Sequence, residues 1–208
     1  MKTNFFKLSI LTLVAVFVTS CSEDNNNTPA VTPVVTKTVS NLYAPQTGGQ
    51  GQPVGGAFTK FSFSENAAVT NDNWDIAFRG TTIIVNGGDE IGITDEPLRT
   101  GVGAVSTVSN TFAGVTLVPE VSTFKQDGPS TYAIATGSGN GWYDYNGATN
   151  IISPRAGKVF VVKTHDGKFA KFEILSYYQN APATPDATSP SRYFTFNFAY
   201  QANSTTTF

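Results

Sequence analysis

The sequence predicts an all-β fold, a single and mostly antiparallel β domain, and three observations carry that prediction. From Thr38 onward apolar and polar residues alternate with period two. No amphipathic helix of useful length interrupts them, and breaks rich in Gly, Asn and Asp separate the runs. The first expected strand is Ala57–Phe63. In Trp74-Asp75-Ile76-Ala77-Phe78-Arg79 the large apolar residues fall on every second position, which predicts a half-buried strand with Asp75 and Arg79 on its other face. Thr81–Val85 is β-rich, and Asn86-Gly87-Gly88 supplies turn chemistry behind it. Phe112–Val118 and Thr131–Ala135 are further expected strands. Lys158–Thr164 and Lys168–Tyr177 read as a hairpin joined through His165-Asp166-Gly167, because Asp-Gly between β-branched and aromatic runs favours a tight turn. Phe194, Phe196, Phe198 and Tyr200 share one face of the clearest strand in the chain. Thr47–Gly56, Gly137–Gly141 and Thr184–Ser191 read as loops.

Composition narrows the function. The 208 residues, with 19 Gly and 11 Pro, fit one domain plus a tail. Charged residues make up 13%, about half the usual share, so Thr, Ser, Asn and Gln build much of the surface. A net charge of −2 argues against nucleic acid as a partner, since little here would neutralise phosphates. One Cys excludes a disulfide framework, and one His removes most metal and acid–base constellations.

The N-terminus reads as an address. Lys2 and Lys7 flank the start of an apolar stretch, Leu8–Val18, that is too short to span a bilayer comfortably. The segment ends Val18-Thr19-Ser20-Cys21, which resembles a bacterial lipobox. That resemblance implies a signal peptide over 1–20 and lipidation of Cys21, with two or more acyl chains giving stable membrane anchoring. Ser22-Glu23-Asp24 resembles the surface-export signal of Bacteroidetes outer-membrane lipoproteins. Residues 21–38 lack the apolar density to fold and read as a tether, leaving 39–208 as the domain.

Catalytic chemistry is sparse. His165, at a hairpin tip, is expected to be exposed and has no nucleophile tied to it by motif. The acidic pairs Asp89-Glu90 and Asp95-Glu96 sit beside glycines or before Pro97 and read as solvated loops. Gly137-Ser138-Gly139-Asn140-Gly141 opens no helix and carries no Lys-Ser/Thr, so it is no phosphate loop. The expectation is a binding protein, not an enzyme. The cluster Trp142-Tyr143-Asp144-Tyr145 either fills the core and braces the sheet or lines a ligand site, since flat aromatic surface suits a porphyrin or a sugar.

Three ordered segments carry a family resemblance: Asn73–Arg79 with Asn86-Gly87-Gly88 behind it, Gly139-Asn140-Gly141-Trp142, and the block Lys158–Tyr178 leading to Phe194–Tyr200. Together they resemble the HmuY family of Bacteroidetes lipoproteins. The resemblance implies a hand-shaped all-β domain that grips one haem, anchored to the outer membrane or shed, and serving a TonB-dependent receptor. It also implies axial iron ligands, His or Met, that this chain lacks. One family ligand lies just after the Gly-Trp motif, where this chain has Asn146-Gly147. The other lies upstream, where Phe112–Asn140 holds no His, Met or Cys. Haem without His or Met ligation is therefore the expected cofactor. Tyr132, Tyr143 or Tyr145 could offer a phenolate, beside Trp142 as a packing surface, or the porphyrin is held with no axial protein ligand. A glycan on the same scaffold is the alternative.

Overall fold

The computed structural model describes residues 34–208. The expected signal peptide, Cys21 and the tether up to residue 33 lie outside the described residues. Within them run thirteen strands. The first seven are β1 Thr36–Tyr43, β2 Thr47–Gly49, β3 Gln52–Gly55, β4 Thr59–Ser62, β5 Ala67–Val69, β6 Ile76–Arg79 and β7 Thr82–Val85. Then come β8 Ala104–Ser109, β9 Tyr143–Asn146, β10 Ile151–Pro154, β11 Lys158–Lys163, β12 Phe169–Tyr178 and β13 Ser191–Gln201. All pairings between these strands are antiparallel. The order β1-β13-β12-β11-β8 makes a five-stranded sheet and β5-β4-β6-β7 a four-stranded one, with β2–β3 and β9–β10 as separate hairpins.

The two larger sheets face each other across an aromatic core. Phe194, Phe196 and Phe198 are each wholly buried, as their alternation predicts. They meet Phe78 at 4.8 Å, Phe61 at 5.2 Å and Phe63 at 5.4 Å between ring centroids. Such tilted and edge-on pairs add to the area term at about 1 kcal/mol each.

Each outer face is also covered, by chain without regular pairing. Val115, with Phe112, Val118, Phe124 and Phe208, packs over Val159 and Val161 of β11. Lys171 of β12 holds that cover: its Nζ donates to the carbonyls of Phe112 (2.9 Å) and Val115 (2.7 Å). Phe58, Trp74 and Ile91 cover Ala77 and Ile84 on the other side. The strand over Trp74–Arg79 is thus buried on both faces rather than half-buried, and Asp75 and Arg79 are 1% and 3% exposed. Trp74 packs with Ala77 and Ile84, on the face opposite Ile76 and Phe78.

Several other expectations change. Thr36–Thr38, placed in the tether, pair with β13 instead, because backbone pairing needs no apolar side chains. Thr47–Gly56 forms the β2–β3 hairpin. Phe112–Val118 is a covering segment, curled by a turn in which Thr111 accepts the Gly114 amide through its carbonyl and its hydroxyl. Thr131–Ala135 has only a single bridge, Gly128 to Thr131. Glu96 is not solvated: its side chain is 6% exposed, accepts from the amides of Ile91, Gly92 and Ile93, and pairs with Arg99 at 2.7 Å.

His165 is not a free hairpin tip either. Its Nδ1 lies 2.7 Å from Asp75 Oδ1, which also accepts the His165 amide, while Oδ2 accepts the Phe63 amide at 2.7 Å. Asp75 thereby ties the β4–β5 turn to the β11–β12 turn. Burial pushes its carboxyl above the ordinary value, against the pull of His165 and the Phe63 amide.

Two predictions follow from these buried carboxylates. Asp75→Ala leaves the Phe63 amide without its partner and is expected to cost about 3 kcal/mol, read from the urea midpoint. At Glu96 burial pushes upward, but Arg99 and the amides of Gly92 and Ile91 outweigh it and hold the carboxyl below its ordinary 4.5. A lowered folded value contributes stability that is present above about pH 4.5 and is lost as pH falls through it. The stability gap between the parent and Glu96→Gln is therefore expected to be widest near neutral pH and to close on acidification.

Candidate functional site

The β9–β10 hairpin is mounted rigidly on the sandwich. At its base Trp142 is 2% exposed, its Nε1 donates to the Thr81 carbonyl at 2.8 Å, and its ring packs on Phe194 and Tyr177. The Gly139 and Tyr145 amides donate to the Tyr143 carbonyl (3.0 Å) and the Ser138 hydroxyl (2.8 Å), stitching the 137–141 bend to β9. On the other strand, the Ile152 amide donates to the Tyr178 hydroxyl at 2.9 Å, fastening β10 to β12. Gly141 is required by close approach: a Cβ there would lie 1.9 Å from the Ala135 carbonyl oxygen.

This mounting sorts the aromatic residues singled out from sequence. Trp142 fills the core and offers no free face. Tyr143 is half-buried against it, at 4.8 Å between rings. Tyr145 is 47% exposed, and its hydroxyl donates to Asn150 Oδ1 at 2.6 Å. Tyr132 stands elsewhere, packed on the Phe58–Trp74–Ile91 cluster, and burial pushes its phenol upward. Tyr177, beneath Trp142, is pushed up to about 12, chiefly by burial. Asn146 Oδ1 accepts the Ala148 and Thr149 amides and is spent on the turn. The sole His is held by Asp75, and among the described residues no group of three or more His, Cys, Asp or Glu could hold a metal ion.

Clefts flank the hairpin on two sides. Toward 185–192 the lining is mixed, with Asn146, Thr149, Asn150, Ser153, Asp186 and Ser189 beside Ile151, Ile152 and Pro185, in two lobes of about 340 and 440 Å³ that share Asp186 and Ala187. On the other side a groove of about 580 Å³ runs between the 111–113 turn, the β10–β11 connection and β12. Its apolar walls are Phe112, Pro154, Ile174 and Leu175, its cations are Arg155 and Lys158, and Glu173, which accepts from Asn197 at 3.1 Å, is its one carboxylate. Leu175 is 46% exposed although it lies within β12, because the register slips between Ile174 and Ser176. Arg155 is oriented by the Gly139 carbonyl at 2.6 Å and Asp144 at 3.6 Å, while Lys158 Nζ donates to the Ser109 hydroxyl at 3.1 Å. None of Tyr132, Tyr143 and Tyr145 lines this groove. The adjacent apolar pair Ile174-Leu175, which breaks the alternation of its strand, is the sequence signal that marks it.

The mounting and the exposed phenol can be separated experimentally. Trp142→Ala is expected to cost about 4 kcal/mol in unfolding free energy, as a large core truncation. Tyr145→Phe is expected to leave the urea midpoint nearly unchanged.

Comparison with known proteins extends this description. A candidate lipoprotein from Bacteroides fragilis is 14% identical, covering 81% of this chain and 91% of that one, with a TM-score of 0.46. A candidate HmuY-like haem-binding protein from Bacteroides vulgatus is 15% identical, covering 83% and 96%, with a TM-score of 0.45. The apo HmuY analogue of Tannerella forsythia is 16% identical, covering 84% and 100%, with a TM-score of 0.44. No curated protein matches. The family model described as HmuY protein matches residues 56–198, well over half of the chain, and the protein belongs to the HmuY family.

Proposed function

We propose that this protein binds haem or a related porphyrin in the groove between Phe112 and Leu175, as a lipoprotein of the outer membrane. The observation that carries this reading is the match of groove to ligand. A volume of about 580 Å³ lies within the usual range for small-molecule sites. Phe112, Pro154 and Leu175 offer apolar surface to a flat macrocycle, and Arg155 and Lys158, which outnumber Glu173, offer cations to its propionates. Membership of the HmuY family and the haem-binding description of the Bacteroides vulgatus relative support the same ligand. With no His, Met or Tyr in the groove, packing and charge hold the porphyrin and the protein gives the iron no axial ligand of those types.

The expected partners are a TonB-dependent receptor that takes the cargo and the membrane reached through Cys21. Radiolabelled palmitate is expected to enter the full-length chain in its native host and to be lost from Cys21→Ala. Protease shaving of intact cells is expected to remove the domain, placing it on the outer surface; a protected domain would place it in the periplasm.

A second reading rests on the cleft beside 185–192, whose amides and hydroxyls suit a glycan. The two are separated by a hemin titration followed by absorbance. Saturable binding is expected, weakened at least about tenfold by Leu175→Asp or Lys158→Glu and unchanged by Tyr145→Phe. Loss of binding in Tyr145→Phe alone would move the ligand to the hairpin and restore a phenolate to the iron. Absence of binding would leave the glycan reading.

A further inference from the structure

A second concavity, of about 280 Å³, opens at the β8 edge of the sandwich, apart from both clefts of the hairpin. Its walls are the β8 edge and the 132–141 segment, and Phe160 closes it from the core. The position of the 132–141 wall is set by buried chemistry. Asp127 Oδ1 accepts the Ala133 amide at 2.8 Å, and its Oδ2 accepts the Val85 amide at 2.9 Å and Arg99 at 3.1 Å. Ala133, Ala135 and Gly141 keep the interior open, and the Gly141 backbone approaches Ala135 as closely as it does only for want of a Cβ.

The lining chemistry is one-sided. Lys125 is its single ionic group, and no carboxylate lines the space. Among the described residues Lys125 forms no ion pair. Around it stand the hydroxyls of Thr107 and Tyr132 and the amide of Asn140, while Ser106 and Thr123 bond each other at 2.7 Å and close the rim. Asp127, the nearest acid in sequence, is spent on Arg99 and two amides. A carboxylate entering here meets a cation it need not compete for, with hydroxyl and amide groups in the same lining for a ligand's own hydroxyls. The volume falls just below the range of drug-sized sites, which excludes a porphyrin and admits a single sugar ring.

We infer that this concavity is a binding site for a small hydroxylated carboxylate of the sugar-acid class, independent of the porphyrin groove. The probe is D-glucuronate, with D-glucose as its neutral counterpart, titrated into the folded domain and followed by ligand-observed NMR. Saturable binding of glucuronate is expected, about tenfold tighter than glucose. Lys125→Gln is expected to abolish that preference, and Ala135→Phe, which fills the concavity from an exposed wall, to abolish binding. Leu175→Asp, in the other groove, is expected to leave it unchanged. No saturable binding, equal binding of glucose, or glucuronate binding that survives both Lys125→Gln and Ala135→Phe would overturn the assignment.

Discussion

One constraint governs the rest: parts of the outer faces of both sheets are buried as well as the core between them, yet the covering segments have almost no strand partners. A buried amide or carbonyl without a partner costs about as much as a lost hydrogen bond, so side chains must supply what a ladder would. Asp75 does so for Phe63 and His165, Asp127 for Val85 and Ala133, and Glu96 for three successive amides. Asn86, wholly buried, donates to the carbonyls of Asp72 and Trp74 and accepts from the amides of Thr100 and Gly101. Lys171 supplies the same service to carbonyls over β11. A chain with few charges spends several of them inside.

That expenditure positions the proposed binding surface. Lys171 fixes the segment that carries Phe112, and so sets one wall of the groove. The β12 register slip presents Leu175 at another wall, and the mounting of Trp142 holds the hairpin from which Pro154 and Arg155 follow. A groove built on packed elements is pre-organised, so little ordering cost falls on binding. The proposed groove is set apart from Asn146, which lines the cleft on the other side of the hairpin.

Much of the fold was legible because period-two alternation is a local signal. β13 and the β11–β12 hairpin stand where that pattern and the Asp-Gly turn put them. Phe112–Val118 misled because β-branched residues serve equally well on a covering segment, and Asn110, Thr111 and Gly114 curl it locally. β8 escaped notice because Ser106 and Thr107 dilute its alternation. The aromatic run Trp142–Tyr145 drew attention to the β9–β10 hairpin and not to the groove beside it. Burial of Trp142 and the pairing of His165 with Asp75, 90 residues away, are tertiary facts with no local trace. Ile174-Leu175 was readable as a break in pattern, whereas Arg155 and Lys158 acquire meaning only from what folds next to them.

The proposed groove holds its porphyrin by packing and charge, not by iron coordination. The most direct test compares the affinities of the folded domain for iron-free protoporphyrin IX and for hemin under the same conditions. The two dissociation constants are predicted to agree within about threefold, since both molecules share the macrocycle and the propionates and differ only at the metal. A preference for hemin of about a hundredfold or more would contradict the account and require an axial ligand from this chain.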